Sequence, residues 1–316
     1  MTVDLSVTIG GLTLENPVMP ASGTFAEGLD KAVDFDRLGA FVTKTITREL
    51  RIGNPLPRVV ERPGGLINSI GIPSKGVPYF LEHTLPYYAR FRPPLVVSIS
   101  APTAEGFASL AAELTRPGIA AIEANISCPN IEEDGKAFAM RAASTEAVVR
   151  QLRAATPLPL WVKLTPNTGD LPEVARAAEA AGADALVVAN TILAMAIDLR
   201  SFKPSLGSVM GGLSGPAVKP IVLRQVFQCA QAVAIPIIGC GGISTAEDAI
   251  EYLLAGASAV QVGTATFVQP AAMTTIIDGI GRFCERRDIA RVADLIGAVV
   301  TEETDRSDIA WVAPAE

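Results

Sequence analysis

LWVKLTPNTGDLPEVARAAEAAGADALVVAN, residues Leu160 to Asn190, reads as one strand–helix–strand unit. Its outer pieces, LWVKLT (Leu160 to Thr165) and ALVVAN (Ala185 to Asn190), are short runs, apolar on both faces, that end in turn residues, as strands of a parallel sheet do. The middle piece, LPEVARAAEAAG (Leu171 to Gly182), has the alanine-rich amphipathic pattern of a helix stopped by glycine. Working outward, further strands are expected at Pro17 to Ser22, Ala40 to Thr45, Leu95 to Ser100, Ala121 to Ser127, Pro236 to Gly242 and Ala259 to Thr264. Helical stretches separate them, including TAEGFASLAAELTR, STEAVVRQLRAAT, KPIVLRQVFQCAQAV and TAEDAIEYLLAGA, several opening with a capping Ser or Thr. Strands alternating with helices make parallel βα units, and eight such units close a barrel. The expected fold is α/β, a (β/α)8 TIM barrel forming one domain over residues 1–316, with an N-terminal β-hairpin in DLSVTIGGLTLENP that could plug its bottom. A doubly wound sheet would need G-x-G-x-x-G after an early strand; here the Gly-rich turn comes late and Ser244 stands where its third glycine should be.

The composition narrows the function. The chain has 316 residues, 49% hydrophobic, with 26 Lys+Arg against 33 Asp+Glu and a net charge of −7. That balance, with no basic run, removes the attraction on which nonspecific nucleic-acid or anionic-membrane binding depends. MTVDLSVTIG does not fit a leader peptide, and no uncharged apolar stretch approaches the roughly 18 residues of a membrane helix, so a cytoplasmic protein is expected. Four scattered cysteines (Cys128, Cys229, Cys240, Cys284) and one histidine, His83, cannot assemble a zinc site or an iron–sulfur cluster within the chain. No metal is expected.

In a parallel barrel the polar residues ending the strands converge on the carboxyl-terminal mouth. Those residues are Ser22, Lys44, Thr45, Ser98, Ser100, Asn125, Ser127, Lys163, Thr165, Asn190, Thr191, Gly241, Gly242, Gly263 and Thr264. Ser and Thr often close strands for structural reasons, so the two lysines within apolar runs carry most of the weight. Each ammonium loses several kcal/mol of solvation on burial unless paired. Glu123 is the one carboxylate candidate, and a bound anion is expected as the better partner; the bland alternative is that both lysines reach out to solvent. Glycines in GCGGIS and QVGTATF leave backbone N–H groups bare where barrels often bind phosphate, although glycine also serves simply to turn a chain. Cys128 precedes the charged segment PNIEEDGK, expected to be a mobile lid, and is the candidate base or nucleophile; the other thiols read as small buried hydrophobes. His83, Trp161 and Trp311 are given no catalytic role.

NSIGIPSKGV (Asn68 to Val77), NISCPN (Asn125 to Asn130), VKLTPN (Val162 to Asn167), GGLSGPAVKP (Gly211 to Pro220), IIGCGGI (Ile237 to Ile243) and VQVGTATF (Val260 to Phe267) together resemble the class 1 dihydroorotate dehydrogenases, in register from Leu12 to Arg282. RIGNPLPRVVERPGGLINSIGIP and NISCPNIEEDGKAF are more similar to the NAD-linked class 1B than to the fumarate-reducing class 1A. The resemblance implies FMN across the mouth, with its phosphate on Gly241, Gly242, Gly263 and Thr264 and its ring contacted by Ser22, Lys44, Thr45, Ser98, Asn125, Lys163 and Gly215. It implies Lys44, Asn68, Ser69, Ile70, Gly71, Ile72, Asn125, Asn190 and Thr191 as contacts for dihydroorotate or orotate. Cys128 would act as base on carbon 5 while hydride leaves carbon 6, with Lys163 and Lys44 as the other catalytic residues. It further implies a homodimer core and a partner subunit carrying FAD and a [2Fe–2S] cluster, a heterotetramer that passes electrons to NAD. Ser98, Ser74, Leu193 and Ala194 depart from the family pattern. The alternatives are a dihydropyrimidine dehydrogenase acting on uracil or thymine, a fumarate-linked enzyme, and a noncatalytic flavin-binding barrel.

Overall fold

The computed structural model describes residues 3–127 and 137–301. Its strands are β1 (Val7–Ile9), β2 (Leu12–Leu14), β3 (Val18–Pro20), β4 (Phe41–Val42), β5 (Val59–Arg62), β6 (Gly65–Asn68), β7 (Leu95–Ile99), β8 (Ala121–Asn125), β9 (Leu160–Lys163), β10 (Ala185–Val188), β11 (Ile192–Ala194), β12 (Ile197–Asp198), β13 (Lys203–Pro204), β14 (Gly211–Ser214), β15 (Ile237–Gly239) and β16 (Ala257–Val262). The helices are α1 (Gly76–Tyr79), α2 (Leu85–Tyr88), α3 (Ala104–Glu113), α4 (Ala142–Ala155), α5 (Leu171–Ala180), α6 (Lys219–Ala230), α7 (Ala246–Leu254), α8 (Ala265–Val268) and α9 (Ala272–Arg286).

Eight parallel strands pair in the order β3-β16-β15-β10-β9-β8-β7-β4. Each expected barrel strand is present, and the helices lie between successive strands in the chain, so the βα reading holds. The two ends of the sheet meet where the Gly39 N–H donates to the Val18 carbonyl at 2.9 Å. Asn16 locks this seam, accepting from the Val18 N–H through Oδ1 and donating through Nδ2 to the Arg37 carbonyl. A methyl group on Gly39 would run into the Asn16 carbonyl, so only glycine lets the two edges approach.

β1 and β2 form the expected antiparallel hairpin around Gly10 and Gly11, both with positive φ. Gly10 packs against Asp184, just before β10, which puts the hairpin at the amino-terminal end of the barrel, opposite the mouth. Ile9 and Leu14 are fully buried there.

One expectation is corrected. Ser144 does not cap a helix: α4 begins earlier, at Ala142, and the Ser144 hydroxyl donates to the Phe138 and Arg141 carbonyls. A second sheet also stands over the mouth, antiparallel in the order β11-β14-β6-β5, with the small β12–β13 pair beside it. It joins two excursions from the barrel, and its central pairing sets Asn68 opposite Gly212.

Replacing Gly39 by alanine should therefore cost at least about 1–3 kcal/mol, the usual range for forcing atoms into a packed site. Urea unfolding of the Gly39→Ala variant measures this, and a midpoint equal to the parent's contradicts the seam assignment.

Candidate active site at the barrel mouth

The strand ends bring one wall of hydroxyl and amide groups together. The Thr45 and Ser98 hydroxyls pair at 3.0 Å, and Asn125 Nδ2 donates to Thr45 Oγ1 at 3.2 Å. Ser127 donates to Asn125 Oδ1 at 2.8 Å, and Asn190 Nδ2 donates to Ser127 Oγ at 2.7 Å. Asn190 Oδ1 in turn accepts from the Thr191 N–H. This chain of bonds fixes which way each amide faces.

Lys163 stands at the end of β9 with 3% of its surface exposed. It donates to Ser22 Oγ at 3.2 Å and to Gln261 Oε1 at 3.1 Å, while Gln261 Nε2 donates to Glu123 Oε2 at 2.6 Å. Burial opposes the charge on Lys163, but Cys240 and Glu123 favour it, and its pKa lies above the ordinary lysine value. Burial also pushes the Cys240 thiol up, so at neutral pH that group is uncharged and Glu123 is the anion the ammonium feels. The carboxylate candidate of the sequence, Glu123, thus faces the ammonium with Gln261 between them rather than in direct contact.

Lys44 differs. It is half-buried, has no hydrogen-bond or ionic partner among the described residues, and burial pulls its pKa below the ordinary lysine range. It borders a cavity of about 320 Å3 lined also by Thr45, Arg51, Ser74 and Tyr79. An unpaired ammonium in such a place fits an anionic ligand.

The late glycine turns lie on the other side of the mouth. The backbone N–H groups of Gly241, Gly242, Gly263 and Thr264 find no acceptor among the described residues, although all four residues are half-buried. Unpaired donors converging from two loops suit a phosphate. The loop after β15 is held from behind: the Tyr252 hydroxyl donates to the Gly241 carbonyl at 2.6 Å, and Lys219 binds Asp248, which accepts from the Ser244 and Thr245 N–H groups. At Gly242 (φ 72) a side chain would lie 2.8 Å from Lys219 and 2.9 Å from the Gly215 carbonyl, which places Gly215 beside the cradle. Thr264 donates to Ser214 and so ties the barrel to the upper sheet.

On that sheet Asn68 Nδ2 donates to the Gly212 carbonyl. Ser69 points the other way, bonded to Asn54 and Ser208, so its hydroxyl does not join the wall of amides. Gly71 and Ile72 both have positive φ, a strained conformation for a β-branched residue, and Arg51 holds the Gly71 carbonyl at 2.7 Å. Ser74, one of the departures, accepts from the Thr47 and Gly76 N–H groups and so has structural work. Cys128 and its expected lid lie outside the described residues.

Three residues of the site went unrecognised in the sequence. Gln261 is a polar residue in an otherwise buried strand, a signal that was available. Asn167, which donates to the Thr191 carbonyl and accepts from the Leu193 N–H, orients β11, and Tyr252 acts from a helix; neither pattern is visible locally. Trp161 is fully buried and Cys229, Cys240 and Cys284 are buried free thiols, as expected, while the His83 side chain is half exposed beside Glu82. No helix among the described residues is long and apolar enough to cross a membrane.

Comparison with known proteins agrees with this geometry. The family model described as dihydroorotate dehydrogenase matches residues 4–284. The chain is 49% identical over 302 residues to the dihydroorotate dehydrogenase B (NAD(+)) catalytic subunit of Pelobacter propionicus, covering 95% of this chain and 99% of that one. It is 50% identical over 301 residues to the protein of the same name from Desulforamulus reducens, covering 94% and 99%. Among solved structures, a DHODH from Eimeria tenella in complex with ferulenol superposes with a TM-score of 0.76 at 24% identity, covering 93% of this chain and 88% of that one, a likeness of fold. With half of its residues shared along nearly its entire length, the chain belongs to the dihydroorotate dehydrogenase family and is an oxidoreductase.

Proposed function

We propose that this chain oxidises dihydroorotate to orotate in pyrimidine biosynthesis, with flavin mononucleotide across the barrel mouth and Cys128 as general base. The observation that carries this reading is the pairing, across one opening, of a buried charged Lys163 with four unpaired amides of Gly241, Gly242, Gly263 and Thr264. The amides would hold the phosphate side, and Ser22, Lys44, Thr45, Ser98, Asn125, Lys163 and Gly215 the ring. When bound, the flavin supplies the acceptor for the hydride of carbon 6. Cys128 takes the proton of carbon 5, so two hydrogens leave and the ring gains a double bond. Lys44 meets the substrate carboxylate, while Asn68, Asn125 and Asn190, which donate and accept at once, read the cyclic urea edge. The backbone of Ser69, Ile70, Gly71 and Ile72, with Thr191, completes the substrate wall.

For electron exit we infer a partner subunit carrying FAD and a [2Fe–2S] cluster that reduces NAD, bound to a homodimer of this chain as a heterotetramer in the cytoplasm. The name of the relatives, a catalytic subunit of an NAD(+) enzyme, supports a separate subunit. Exposed Leu193, Met195, Ile197, Leu199 and Phe202, all on or beside the excursion that carries β11 to β13, supply an apolar face suited to the homodimer.

Two measurements test the reading. Anaerobic bleaching of the flavin by dihydroorotate should slow by roughly 10²–10⁴-fold in Cys128→Ala at neutral pH, the usual contribution of a positioned base; a near-parental rate rejects the role. Because burial lowers the Lys44 pKa and a bound carboxylate favours its charged form, orotate affinity should be full at neutral pH. It should fall as pH rises through a value below that of an ordinary lysine. Titration with orotate between neutral and alkaline pH checks this, and Lys44→Met should bind weakly with no such dependence.

A further inference from the structure

Glu123 is fully buried in β8, and the Gln261 side chain from β16, on the opposite wall of the barrel, reaches it and Lys163 together. The Gln261 amide has one orientation that serves both neighbours, with its carbonyl to the ammonium and its N–H to the carboxylate. Glu123 Oε2 accepts that short bond, and Oε1 has no partner among the described residues. Neither solvent nor a set of amides therefore balances the carboxylate, and the positive charge it faces is Lys163. Lys163 has three N–H bonds; Ser22 and Gln261 take two, and the Cys240 thiol is a third neighbour within bonding reach.

We propose that Glu123, acting through Gln261, keeps Lys163 an ammonium from a distance and so holds a positive charge beside the ligand at the mouth. The inference rests on the reading of that ligand as a flavin and makes Glu123 and Gln261 positioning residues for its redox chemistry. The groups facing Lys163 are Ser22 after β3, Gln261 on β16, Glu123 on β8 and Cys240 after β15; of these Glu123 is the anion, because the buried thiol stays protonated. Removing the carboxylate leaves an uncompensated charge in a closed core, and the lysine answers by losing its proton.

Sulfite provides the test, since its addition to flavin N5 leaves a negative charge on the ring that a neighbouring ammonium stabilises. The FMN-loaded protein is compared with Lys163→Met, Glu123→Gln, Gln261→Met and the exchanged pair Glu123→Gln/Gln261→Glu. Glu123→Gln and Gln261→Met should each weaken sulfite binding by about tenfold or more, the worth of one pKa unit, toward the level of Lys163→Met. The exchanged pair, which restores a carboxylate beside the ammonium, should recover most of the affinity, a recovery that loss of packing would not produce. Should Gln261→Met fail to fold, the near-isosteric Glu123→Gln and the exchanged pair decide alone. Unchanged or tighter sulfite binding in Glu123→Gln, with Lys163→Met impaired, overturns this inference and leaves the flavin reading standing. A parent that takes up no FMN, or a silent Lys163→Met, overturns both.

Discussion

A positive charge inside a closed barrel has to be balanced, and much of the mouth follows from how this chain balances Lys163. The successive strands β8 and β9 contribute the carboxylate and the ammonium, and the distant β16 contributes the amide between them. The arrangement needs the cylinder to be complete, because Gln261 crosses its interior. Closure in turn rests on the bare backbone of Gly39 against Asn16. The seam and the charge relay are thus parts of one requirement: the charged floor exists where the wall is continuous.

Above that floor the chemistry is divided between rigid and composite parts. Hydroxyl and amide groups at the strand ends are linked in one series from Thr45 to Thr191, so their orientations are fixed collectively. The upper sheet instead holds its residues by conformations that cost energy. Ile72, a β-branched residue with φ 49, is left-handed just after Ile70 and Gly71, whose carbonyls accept from the Asn54 N–H and Arg51, at an expense of order 1–3 kcal/mol for such a residue. Strain of this kind collects where a backbone is shaped for a ligand.

The barrel was legible in the sequence because its signals are local. Each strand is a short apolar run and each helix a periodic one, so eight units could be counted without knowing any contact. Lys163 and the glycine turns stood out for the same reason, as residue types at odds with their surroundings. What stayed hidden depends on distant partners. RVVERPGGLIN has the alternation and the Pro-Gly turn of a hairpin, but that β6 continues through β14 into a four-stranded sheet is decided by a segment far along the chain. The link from Lys163 to Glu123 stayed hidden likewise, since no spacing reveals that Gln261 bridges the barrel. Ser144 illustrates the reverse: its local signature suggested a cap, and the Phe138 turn in front of α4 took its hydroxyl instead.

The pairing of Asn68 with Gly212 also governs when the protein becomes competent. During synthesis the β5–β6 hairpin leaves the ribosome long before its neighbour, and until β14 arrives one of its edges has no strand to join. Contacts between such distant segments carry a large loop-closure cost and form late. The cylinder wall from β3 to β10 is made before that point, whereas the substrate wall above it waits for the second excursion and the cradle waits for β15 and β16. Activity is therefore among the last properties the nascent chain acquires, and a polypeptide cut short before Gly211 would lack the strand that sets Asn68 in place.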